Sequence, residues 1–174
     1  MKLLYDYLMR PTQTVQLYNH HKNWQTWWMV MVVGAVLLSI KWTTVGMLSI
    51  VMATIIQVSG VIFYAILLDA SAQLIGERGQ LRSIVYWLGF AQAIYWLLPS
   101  AEMIQGVLFS IGNGIIFAIN IIYAVYVWKT IRQLLGNSIK KTIAIVLFPL
   151  VIFSVSLVVF SVRSEEHTSE LQSP

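Results

Sequence analysis

This sequence predicts an all-α fold, an integral membrane bundle of five transmembrane helices with the N-terminus in the cytoplasm and the C-terminus outside. Three observations predict it. Of 174 residues, 58% are apolar and only 10% are charged, where a soluble domain has about 25% charged, and the mean hydropathy is +0.75. The charged residues interrupt the chain so as to leave five apolar runs near the length of a membrane span, about 20 residues. Lys and Arg fall almost wholly in alternate connections, as expected when cytoplasmic loops retain positive charge during insertion. The chain has no cysteine, which excludes disulfide scaffolds, thiolate metal sites and Cys nucleophiles. Its formal charge of +4 is thinly spread, so no nucleic-acid partner is expected.

Residues 1–23 form a lead. Leu3, Leu4, Tyr7 and Leu8 stand at helical spacing with Lys2 and Arg10 at the margins, which suits a short helix in the headgroup region; a weakly attached tail is the other reading. A cleavable signal peptide is not expected, since Asp6 interrupts a short apolar stretch and no small-residue cleavage site follows. Trp24, Trp27 and Trp28 stand where an interfacial aromatic belt belongs.

The spans follow in order. The first, 24–40, is closed by Lys41, and the second, 45–68, by Asp69. A third, 83–98, follows Arg82 and ends at Pro99, which has no N–H to continue the ladder. The fourth, 106–128, ends at Lys129, and the fifth, 142–162, lies between Lys141 and Arg163. Runs rich in Leu, Ile, Val and Met without strict alternation form helices, which satisfy their backbone hydrogen bonds internally.

Orientation rests on the cations. Lys2, Arg10 and Lys22 precede the first span, Arg78 and Arg82 lie in the second loop, and Lys129, Arg132, Lys140 and Lys141 lie in the fourth; the opposite side carries Lys41 alone. The basic cytoplasmic face is therefore Arg78, Arg82, Lys129, Arg132, Lys140 and Lys141, with the lead beside it. In the loop KTIRQLLGNSIKK, Ile131, Leu134 and Leu135 among four cations also suit a basic amphipathic turn on an anionic leaflet, at about 1 kcal/mol per cation. Gly136-Asn137 stops one helix before Ser138 opens the next.

Residues 163–174 (RSEEHTSELQSP) break the composition, with Glu165, Glu166 and Glu170 among the chain's seven acids. The string RSEEHTSELQS resembles the conceptual translation of a short-read sequencing adapter, so the segment reads as an artefactual tail and is set aside from the fold. Without its one cation and three acids the formal charge rises from +4 to +6.

Inside lipid, helices associate by close backbone approach and interhelical polar contacts. Gly106, Ser110, Gly114 and Ala118 recur every four residues in the fourth span; Gly46, Ser49, Ala53, Gln57, Gly60 and Tyr64 share a face of the second; Tyr86, Gly89, Gln92, Ala93 and Trp96 share one of the third. These positions are expected to be helix-packing seams. The alternative is a polar pocket at mid-membrane lined by Gln57, Gln92, Asn113 and Asn120.

No catalytic set emerges. Outside the tail the carboxylates are Asp6, Asp69, Glu77 and Glu102, at span ends or in loops, so no ionisable group is expected inside a span, as a proton-coupled transporter requires. The adjacent His20 and His21 diverge by about 100° on a helix and make a poor metal pair. LIGERGQ, with Gly76 and Gly79, reads as a tight turn; as a phosphate cradle it lacks a strand and a Lys-Ser/Thr ending. No enzyme, cofactor or metal is expected.

Five spans, an amphipathic lead, the stretch ASAQLIGERGQLRSIVYWLGFAQAIYWLLPSAE (Ala70 to Glu102) and a basic loop before the last span resemble the Yip domain family, membrane proteins named in eukaryotes for interaction with Ypt/Rab GTPases. Gly76 and Gly79 match the family's glycine-containing turn, and Leu88-Gly89-Phe90 matches its entry to the third span. A proline common partway along that span in relatives is absent; Ile94 stands there, and Pro99 comes later. The long N-terminal segment of eukaryotic members is also missing, so the chain is similar to the compact bacterial branch. The resemblance implies a multi-pass protein of the bacterial plasma membrane, its partners the lipid bilayer and other membrane proteins or a second copy. The expected function is non-enzymatic, in helix packing with partners or in membrane organisation and trafficking. The alternative is a small-solute channel or permease component using the amide pocket.

Overall fold

The computed structural model describes residues 2–20, 22–39, 47–136, 138–149 and 151, and every regular element among them is a helix. His21, Lys41, Gly46, residues 152–162 of the fifth expected span and the tail 163–174 lie outside the described residues.

The lead is two helices, α1 (Lys2–Met9) and α2 (Pro11–Tyr18). Pro11 separates them: it has no N–H to extend α1, and its fixed φ suits the first position of α2. α3 (Trp24–Ser39) is capped by Asn23, whose Oδ1 accepts from the backbone N–H groups of Gln25 at 3.1 Å and Thr26 at 3.2 Å. α4 (Met47–Leu74) runs past Asp69, where the sequence led us to expect its end, and stops before Gly76, whose φ of 86° no ordinary side chain tolerates.

The next helical run is continuous from 81 to 107, in three pieces. These are α5 (Leu81–Ala91), a 3-10 turn (Gln92–Leu97) and α6 (Leu98–Val107). Pro99 therefore does not end the helical run. It lies in the first turn of α6, where an N–H has no intrahelical partner anyway. The chain breaks at Leu108, with φ −129° and ψ 80°, and α7 (Phe109–Leu135) folds back along the run. Gly106 accordingly belongs to α6 and not to the helix carrying Ser110, Gly114 and Ala118. Gly136, at φ 62°, closes α7. Residues 139–149 form α8, entered through Ser138.

Three helices are long and apolar enough to cross a membrane: Leu48–Leu74, Leu81–Val107 and Phe109–Leu135, 27 residues each, or about 40 Å at 1.5 Å per residue. Trp24–Leu37 is a shorter apolar helix.

α5 is the hub. It packs against α1, α3, α4 and α7, and eight of its eleven residues are buried. α4 and α7 instead present Ile55, Ile56, Phe63, Ile111, Phe117 and Ile121 outward, an arrangement that suits lipid as the solvent and not water.

Candidate functional site

Four pairings set the register of α7 along the 81–107 run. Gln80 Nε2 donates to the Leu134 carbonyl at 3.0 Å, Gln92 Nε2 to the Tyr123 hydroxyl at 3.2 Å, Tyr95 Oη to Asn120 Oδ1 at 3.1 Å, and Gln105 Nε2 to Asn113 Oδ1 at 2.7 Å. The partner's number falls as the first rises, so the two helical stretches run antiparallel. This register brings the start of α5 and the end of α7 to one end of the bundle.

The basic residues collect at that end. Lys141 Nζ meets Glu77 Oε1 at 2.7 Å, joining the α4–α5 turn to α8. Arg82 stands over the Trp24 ring at 5.9 Å, and Arg132 over that of Trp128 at 5.6 Å. Lys22 lies close enough to Arg82 that its ammonium is held below the usual lysine range, by partial burial first and by Arg82 second. Beneath this face Asp69, 7% exposed, organises the turn. Its Oδ1 accepts from the Gln80 N–H at 2.6 Å and its Oδ2 from Gln73 Nε2 at 2.7 Å. A Cβ on Gly79 would stand 3.0 Å from Asp69 Oδ2 and 2.7 Å from Gln73 Nε2, so Gly79 lets the turn close over the carboxylate.

The lead docks at the same end. Tyr7 is fully buried, its ring stacked on Trp87 at 5.4 Å and set edge-on to Phe90 and Tyr126. Its hydroxyl pairs with Thr130 Oγ1 at 2.8 Å, and the Tyr126 hydroxyl donates to the Leu8 carbonyl. Burial pushes the Tyr7 phenol above its ordinary range, and the bond to Thr130 offsets part of that rise. Farther along, Trp87 Nε1 lies 3.4 Å from Asn19 Oδ1, and Asn23 donates its backbone N–H to the Tyr86 hydroxyl at 2.9 Å.

The four amides singled out in the sequence have different surroundings. Gln92 and Asn120 join one cluster through the Tyr95 and Tyr123 rings, 4.6 Å apart. Asn113 bonds Gln105 at the α6–α7 reversal. Gln57 lies against Gly34, where a Cβ would stand 2.7 Å from Gln57 Nε2 and 3.2 Å from Trp96 Nε1. Gln57 Oε1 and Trp96 Nε1 are both buried without a partner.

Among the small residues, Gly89 admits the Trp27 indole so closely that any Cβ there would overlap it. Trp27 is buried and donates Nε1 to the Val85 carbonyl at 3.2 Å. Among the described residues, nothing lies within 4 Å of a Cβ position on Gly60, Gly106 or Gly114. Ser110 and Ala118 are exposed, and Ala53 is half-buried. Two close approaches escaped the sequence reading. Gly112 faces the Gln105 backbone, and Gly34 faces Gln57. Neither falls in a four-residue series of small residues, so spacing did not mark them.

Compared with protein-family models, with curated proteins and with solved structures, the chain matches none.

Proposed function

We propose that this chain is a non-enzymatic integral membrane protein of the Yip domain type, with five spans, a cytoplasmic N-terminus and an outer C-terminus, in a bacterial plasma membrane. It acts by packing its helices against membrane partners, including a second copy of itself, and so organises the membrane. One observation carries the reading. Gln92 pairs with Tyr123 and Tyr95 with Asn120 between helices, while Gly60 and Gly114 face outward with nothing among the described residues within 4 Å of a Cβ position. Outward small residues on long apolar helices are where another helix approaches closely in lipid.

The experiment is crosslinking and co-purification in mild detergent, with Gly60→Leu and Gly114→Leu as probes. Loss of a partner or of self-association in the variants, at unchanged thermal stability, is the expected result. A wild-type chain that neither self-associates nor retains a partner overturns the reading in favour of the channel alternative, which solute flux into proteoliposomes then measures. Because the sequence has no cysteine, single-cysteine labelling tests the topology directly: Ser138→Cys reacts from the cytoplasmic side.

A further inference from the structure

Two cavities of opposite character meet at Trp128. One, about 460 Å³, is lined by Thr12, Trp128, Lys129, Arg132, Gln133 and Gly136. The other, about 290 Å³, is a groove between α7 and α8; apart from Trp128 its walls are aliphatic, with Ile121, Val125, Ile143 and Leu147 among them. The groove follows α7 from Trp128 back to Ile121, about 10 Å at 1.5 Å per residue.

Each half asks for a different chemistry. The Arg132 guanidinium rests on the Trp128 ring, which orients it and leaves its edge N–H groups for an acceptor. Nearby, Lys141 is paired with Glu77, whereas Lys129 and Arg132 face no carboxylate among the described residues. Two cations with the Thr12 hydroxyl and the Gln133 amide match the oxygens of a phosphodiester. The groove offers such an anion nothing, but it matches an acyl chain. A molecule that uses both halves is anionic at one end and aliphatic at the other, with the junction at Trp128.

We propose that this junction is a binding site for one anionic phospholipid, its phosphodiester between Lys129 and Arg132 and an acyl chain along Ile121, Val125, Ile143 and Leu147. The site rests on the membrane placement of α7 proposed above.

The test reconstitutes the full chain in vesicles of equal phosphatidylglycerol and phosphatidylcholine, repurifies it in mild detergent, and quantifies retained lipid by mass spectrometry. Wild-type protein retains phosphatidylglycerol preferentially. Combined Lys129→Gln and Arg132→Gln lowers that preference about thirtyfold, as two lost headgroup cations imply. Ala124→Phe, at an exposed position beside the groove, lowers it with both charges in place, and Lys140→Gln leaves it unchanged. An unchanged preference in the double variant overturns the site. So does an equal loss in Lys140→Gln, which would mean diffuse surface attraction. Retention that survives Ala124→Phe but is displaced by glycerol phosphate overturns it in favour of a soluble-anion site. Release of the chain from membranes by alkaline carbonate marks failure of the membrane placement, separately from failure of the site.

Discussion

Tyr7 and Thr130 pair through their hydroxyls at 2.8 Å across 123 residues of sequence, and both are fully buried. The contact ties the first helix of the lead to the end of α7, so the lead is part of the bundle. Two consequences of it are measurable.

Tyr7→Phe keeps the ring packing on Trp87 and Phe90 and removes one neutral hydrogen bond, leaving the Thr130 hydroxyl buried without it. Docking of the lead is expected to weaken by about 1 kcal/mol. Tyr7→Ala also empties the space of a buried aromatic ring, at about 3–5 kcal/mol. Limited proteolysis of α1 in detergent ranks the three proteins in that order.

Docking also depends on alkali. The buried site favours the neutral phenol, so the folded-state value lies above the ordinary 10.0. The contribution of Tyr7 is complete below pH 10 and is lost as pH rises through the higher folded value. Protease exposure of α1 is expected to rise at alkaline pH in the wild type, and Tyr7→Phe lacks the tyrosine-dependent part of that rise.

Glycines divide by what surrounds them. Gly89→Ala drives a methyl into the Trp27 indole and is expected to cost about 1–3 kcal/mol as overpacking. Gly114→Ala meets no described residue and is expected to be neutral, or stabilising by up to about 1 kcal/mol from helix propensity. Thermal unfolding in one detergent separates them; equal effects would refute the α3–α5 contact.

Asp69→Ala strips the acceptor from the Gln80 N–H and is expected to destabilise the turn by about 1–3 kcal/mol. Asp69→Asn keeps an acceptor oxygen and recovers part of the loss. Hydrogen exchange at the Gln80 amide follows both.

Gln92 and Tyr123 form an interhelical pair, for which a double-mutant cycle with Gln92→Leu and Tyr123→Phe is expected to return about 0.6 kcal/mol, the usual strength of such bonds within membranes. Zero coupling would remove this pair from the forces that hold the 3-10 turn against α7.

Local punctuation was readable where backbone chemistry decides it. Ser138 opens a helix and Gly136 closes one because each satisfies terminal backbone groups or adopts a left-handed φ. Pro99 misled for a reason that is local but conditional. A proline stops a regular α-helix, yet the 3-10 turn before it makes position 99 the start of a new segment. Asp69 misled similarly, since a carboxylate that looks like the end of a span is sheltered by Gln73 and the Gln80 N–H within a longer helix.

By itself the sequence determined an all-helical, lipid-suited chain, because apolar runs broken by sparse charges admit little else that satisfies the backbone. It also set which connections are basic. Tertiary structure alone decided which small residues are packed, since a glycine seam depends on the neighbour's side chain: Trp27 fills Gly89, whereas no described residue approaches Gly114. It decided too that the lead is docked and that Gln92 and Asn120 meet tyrosines. Those contacts join residues far apart in sequence, and periodicity along one helix carries no record of which face another helix will cover.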